Sequence, residues 1–129
     1  MDNNINFYSD ETREGILNTA YALSMEFGEG WLQPIDERLG KIYPQLDSRQ
    51  LSGFNNICQQ LRTEATNFIC QRLEQITDSQ LMITEKDLGS ELSRWMTEHY
   101  PWVSKSNIRK ALAQGLYYAW RDGLTECVK

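Results

Sequence analysis

Apolar residues recur along the chain at helical spacing in five successive segments, and none of these segments alternates as a half-buried strand would. Ile16, Ala20, Leu23 and Phe27, flanked by Leu17, fall at i, i+4, i+7 and i+11, which predicts a first helix over about residues 10–27. Ser9 or Asp10 is placed to cap its start and Gly28 to end it. Trp31, Ile35, Leu39 and Ile42 align in a second helix, with Pro34 in its first turn and Pro44 beyond its end. A third stripe holds Leu51, Phe54, Cys58, Leu61, Ala65, Phe68, Ile69, Leu73 and Ile76, which predicts a helix from Asp47 to about Ile76. At 1.5 Å per residue it would be about 45 Å long, with Ser52-Gly53 as the place for a kink or a later start.

Thr84-Glu85-Lys86-Asp87 resembles a capping box, and Leu88, Leu92, Trp95, Met96 and His99 share one face of the fourth helix that follows it. Tyr100-Pro101 closes that helix, because a residue before proline is pushed out of the α region. Ser104 or Ser106 caps a fifth, in which Ile108, Ala111, Leu112, Gly115, Leu116 and Ala119 keep helical spacing. The fold expected is all-α: a single-domain bundle of five helices over residues 1–129, one of them long and central, with residues 1–9 a flexible lead-in. Leu61, Phe68, Leu92, Trp95, Leu112 and Leu116 are the expected core.

Composition narrows the class of protein. The chain has 129 residues, 40% hydrophobic and 24% charged, which suits one soluble domain with a core that needs no disulfide or metal staple. Thirteen Lys and Arg against 18 Asp and Glu leave a net charge of -5, which opposes non-specific binding to nucleic acid or anionic lipid. Cys58, Cys70 and Cys127 are odd in number and lack C-x-x-C spacing, so they form no disulfide framework or metal knuckle and suit a reducing compartment. The opening MDNNINFYSD has no basic and then apolar run, and no stretch approaches 18 apolar residues. A cytoplasmic protein without a membrane span is expected.

Catalytic chemistry finds little support. His99 is the only imidazole and falls in the last turn of the fourth helix, where a partly positive ring suits the helix end better than general-base work. G-x-S-x-G, P-loop, H-E-x-x-H and H-x-E patterns are absent, and Gly28-Glu29-Gly30 lacks the third glycine and preceding strand of a dinucleotide site. Neither Glu91 nor Glu98 stands three residues before His99, as a helical di-iron site would require. Cys58, set among Leu, Phe and Ile, reads as an inert thiol. No catalytic residue, metal or cofactor is expected, and the chain is not expected to be an enzyme.

Charge is unevenly distributed. Residues 1–37 hold Asp2, Asp10, Glu11, Glu14, Glu26, Glu29, Asp36 and Glu37 against Arg13 alone. Asp10, Glu11 and Glu14 complement the dipole of the first helix, at about 0.3 to 1 kcal/mol each. Glu26, Glu29, Asp36 and Glu37 surround Trp31 and form the expected partner-binding site, an acidic face with an aromatic anchor. Six of the fourteen aromatic residues, Trp95, Tyr100, Trp102, Tyr117, Tyr118 and Trp120, lie in the last third, where burial by a second layer is expected.

These features describe a small acidic binding module, and the leading expectation is a bacterial immunity or antitoxin-type protein that occludes a cognate toxin, with a basic toxin domain as partner. The alternative is a helix-turn-helix-like DNA-binding or phage-type regulator using Lys105, Arg109 and Lys110 at the basic start of the fifth helix.

Overall fold

The computed structural model describes residues 12–26 and 34–129. Among them are five helices: α1 Arg13–Ser24, α2 Asp36–Ile42, α3 Ser48–Asp78, α4 Glu85–His99 and α5 Lys105–Arg121. The chain is all-α, and its middle element, the 31-residue α3, is by far the longest. It divides into two compact units, Met1–Leu61 and Arg62–Lys129, with the boundary inside α3. The expected flexible lead-in, the caps at Ser9 and Asp10, Phe27, the Gly28 stop and Trp31 lie outside the described residues.

In the first unit, α1 is shorter than residues 10–27 because Thr12 caps it, its hydroxyl accepting from the Gly15 amide at 3.0 Å. The helix buries Ile16, Leu17, Ala20, Tyr21 and Ser24. Leu23, expected on the stripe, is only half-buried. The second helix was expected from Trp31 with Pro34 in its first turn, but α2 starts at Asp36 and Pro34 precedes it. Its entry is set by tertiary structure: the amide of Ile35, the residue before α2, donates to Asn55 Oδ1 of α3 at 3.2 Å. Arg38 of α2 donates to the Leu23 carbonyl at 3.2 Å, placing a cation at the electronegative end of α1. Tyr43 is buried and shares a 3.0 Å hydrogen bond between its hydroxyl and Thr19 of α1. The start of α3 is closed by a reciprocal pair, the Gln50 amide donating to Asp47 Oδ1 at 2.8 Å and the Asp47 amide to Gln50 Oε1 at 3.0 Å. No break occurs at Ser52-Gly53, and the helix runs through both residues.

In the second unit, α3 presents Ala65, Ile69, Leu73 and Ile76, all buried, as the long stripe requires. Phe68 stacks on Trp95 of α4 with ring centroids 5.2 Å apart. Arg72 and Glu91 form a forked ion pair, with Nε to Oε1 at 2.7 Å and Nη2 to Oε2 at 3.3 Å. Thr84 caps α4 by accepting from the Asp87 amide at 3.0 Å, and Ser104 caps α5 by accepting from the Asn107 amide at 3.2 Å. Both α3 and α5 end in the same double-bonded turn. The Leu81 amide reaches back to Ile76 and Gln80 to Thr77, while Leu124 reaches Ala119 and Gly123 reaches Trp120. The left-handed residue of the turn is Gln80 at φ 57° in the first case and Gly123 at φ 76° in the second. The chain end returns to Ile83: the Ile83 amide donates to the Cys127 carbonyl, and the Lys129 amide to the Ile83 carbonyl.

The expected core is only partly correct. Leu61 and Leu92 are fully buried, but Phe68, Trp95, Leu112 and Leu116 are half-exposed. On α5 the expected stripe is buried at Ala111, Gly115 and Ala119, joined by Asn107 and Gln114, but not at Ile108, Leu112 and Leu116. The reason is close approach: α5 meets α3 through its smallest residues, and a β-carbon at Gly115 would lie 2.8 Å from Ile69 Cγ1.

Candidate protein-binding surfaces

Of the expected acidic site, Glu26, Asp36 and Glu37 are described, whereas Glu29 and Trp31 fall outside the described residues. Glu26 follows α1 and pairs with Arg38 Nη1 at 2.6 Å, with about half of its side chain exposed. Asp36 and Glu37 occupy the first turn of α2, where their charge complements the helix dipole. Glu37 is exposed and stands 4.0 Å from Lys41 one turn on, a distance at which an exposed pair is worth a few tenths of a kcal/mol. The three carboxylates therefore flank the entry to α2. Glu26 is paired with Arg38 at 2.6 Å, whereas the Glu37 pair with Lys41 is longer and more exposed.

His99 was expected on the apolar face of α4, but its side chain is exposed. Its ring lies 5.2 Å from that of Trp95, and Nδ1 is 2.9 Å from the Trp95 carbonyl oxygen, so the imidazole closes the helix end. All three cysteines are free thiols. Cys58 is fully buried, as expected for an inert thiol, and Cys127 is buried with its sulfur 3.7 Å from the Leu73 carbonyl oxygen. Burial, and then the carboxylates of Asp122 and Glu74, push the Cys70 thiol up, which opposes thiolate chemistry there. Among the described residues no group of three or more His, Cys, Asp or Glu side chains could hold a metal ion. Among them, too, no helix is long and apolar enough to cross a membrane.

The aromatic last third separates into two groups. Trp95 is bracketed by Phe68, His99 and Tyr100, and Tyr100 donates from its hydroxyl to Glu64 at 2.5 Å. Burial first, and then the Glu64 carboxylate, push the Tyr100 phenol up to about 12. Tyr117, Tyr118 and Trp120 gather on the second half of α5, where Arg121 lies 5.2 Å over the Tyr118 ring. Burial was expected for this second group, yet Trp120 is 65% exposed. It projects from the side of α5 away from the Ala111, Gly115 and Ala119 face. An exposed tryptophan beside two tyrosines and an arginine has the composition of an interface anchor. No protein-family model, curated protein or solved structure matches the chain.

Proposed function

We propose that the protein acts by binding another protein, as an immunity or antitoxin-type inhibitor that occludes a cognate toxin. The supporting observation is where the charge resides. Met1–Leu61 carries nine carboxylates and four Lys or Arg, while Arg62–Lys129 carries nine of each, so the whole net charge of -5 belongs to the first unit. Negative charge concentrated in one unit steers a basic partner and speeds its encounter, and a basic nuclease-like domain is the partner this charge suits. Glu26, Asp36 and Glu37 supply charge at the entry to α2, and in this reading Glu29 and Trp31, which lie between Glu26 and Asp36 in the sequence, add charge and the aromatic anchor. Inhibition then consists of covering the partner's substrate surface, with no chemistry performed by the chain.

A second reading places the contact on the aromatic face of α5, and the exposure of Trp120 favours it. The test is affinity capture from the native host at low salt, elution with salt, and assay of the eluted protein. A basic protein whose activity falls stoichiometrically on adding the chain back supports the proposal. A captured protein whose activity is unchanged, or capture indifferent to salt, rejects it.

A further inference from the structure

Helices α4 and α5 leave a groove of about 560 Å³ along their shared surface, and its chemistry is opposite to that of the chain as a whole. Lys86 from α4 and Lys105 and Arg109 from α5 line it, all three exposed. None of them belongs to the ion pairs Arg38–Glu26, Lys41–Glu37 and Arg72–Glu91. Lys105 opens α5, where a cation opposes the helix dipole, so it is not there to stabilise its own helix. Between the cations lies an apolar floor of Ile108 and Leu112, the leucine seated where Gly89 leaves room for its methyl group at 3.1 Å from an added β-carbon. These are the residues that the sequence assigned to a core stripe and the structure left half-exposed.

We propose that this groove is a docking site for an acidic amphipathic segment of another protein, with carboxylates meeting Lys86, Lys105 and Arg109 and apolar side chains covering Ile108 and Leu112. Charge complementarity sets the sign, and the apolar floor sets the class. A nucleic acid would bring phosphates along its whole length, past Glu85 as well, whereas a peptide can set its carboxylates against the three cations alone, and no aromatic ring lines the groove to stack on a base. A small carboxylate would leave most of its surface in water in a groove whose lining is exposed or half-exposed, whereas binding sites for such ligands enclose most of the molecule. An amphipathic segment laid along two helices matches both the open face and the mixed lining. The docking site draws on residues of the second unit alone and does not depend on the acidic residues of the first.

The test uses the full chain and a fluorescently labelled synthetic helical peptide with leucines on one face flanked by glutamates, followed by anisotropy. The peptide should bind, and added salt should weaken it. Lys86→Glu with Arg109→Glu should lower affinity about tenfold or more, and each single reversal about threefold. Lys110→Glu should change it less than about twofold, because Lys110 is on the same helix but outside the groove. Circular dichroism confirms that each variant is helical, and the single reversals carry the test if the double variant unfolds. No binding of the acidic peptide overturns the proposal. So does an equal loss with Lys110→Glu, which would mean undirected charge attraction, or tighter binding of a DNA oligonucleotide than of the peptide, which would reassign the groove to a polyanion.

Discussion

Ile69 occupies the space that a β-carbon at Gly115 would need: the ideal position lies 2.8 Å from Ile69 Cγ1 and 3.2 Å from its Cβ. Neither atom is the free end of a flexible chain, so the helices themselves must shift to accept a methyl group. Gly115→Ala should therefore cost about 1 to 3 kcal/mol through overpacking, despite alanine's better helix propensity. Gly53, also inside a helix, has nothing within 4 Å of its added β-carbon. Gly53→Ala should stabilise by about 0.5 to 1 kcal/mol. Denaturant unfolding of the two variants should move the midpoint in opposite directions.

The paired helix ends at Gln80 and Gly123 make a second comparison. Both adopt the left-handed conformation, at φ 57° and φ 76°, but only glycine does so without crowding its own β-carbon. Gln80 is exposed and its backbone makes the turn's hydrogen bond, so replacing the side chain loses little else. Gln80→Gly should raise stability by about 1 kcal/mol, and Gly123→Ala should lower it by a similar amount. Thermal melts of both variants check this.

Tyr100 makes stability depend on alkaline pH. Its folded phenol titrates at about 12 against 10.0 for a free tyrosine, so between those values the unfolded chain has released its proton and the folded chain has kept it. The contribution is fully present below about pH 10, declines with rising pH and is lost above about pH 12. Tyr100→Phe should remove this decline. The difference between wild-type and variant stability curves across that window measures it, and the tyrosinate absorbance that the variant loses should be absorbance that appears late in the wild-type titration.

Core burial separates two positions that share the long stripe of α3. Leu61 is fully buried, and Leu61→Ala should cost about 2 to 5 kcal/mol. Phe68 is half-exposed and gains mainly from stacking on Trp95, so Phe68→Ala should cost less than a fully buried phenylalanine, about 1 to 3 kcal/mol. Equilibrium unfolding of both variants ranks them.

If the acidic face steers a basic partner, Asp36→Asn with Glu37→Gln should slow association while leaving dissociation nearly unchanged. Trp31→Ala should do the reverse, raising dissociation by the loss of an anchor worth about 2 kcal/mol or more. Glu26 is a poorer probe, because its replacement also breaks the pair with Arg38. Binding kinetics with the captured partner measure both rates. Unchanged kinetics in these variants, together with a faster off-rate in Trp120→Ala, would move the interface to α5.

The sequence by itself determined that the long elements are helices and where α3, α4 and α5 run. The spacing of Leu61, Ala65, Ile69, Leu73 and Ile76, the caps at Thr84 and Ser104 and the stop at Tyr100-Pro101 act within a few residues of one another, so they are legible in one dimension. Which face of each helix is buried was decided by tertiary structure. On α5 the spacing put Ile108, Ala111, Leu112, Gly115, Leu116 and Ala119 on one stripe, and of these only the small ones, Ala111, Gly115 and Ala119, are buried, because closest approach to α3 requires the least side chain. The same choice leaves Ile108 and Leu112 beside Lys86 from another helix, and it sets Trp120 in solvent. Hydrophobicity along a chain records which residues gain from burial. Only the packing of one helix against another decides which of them obtain it.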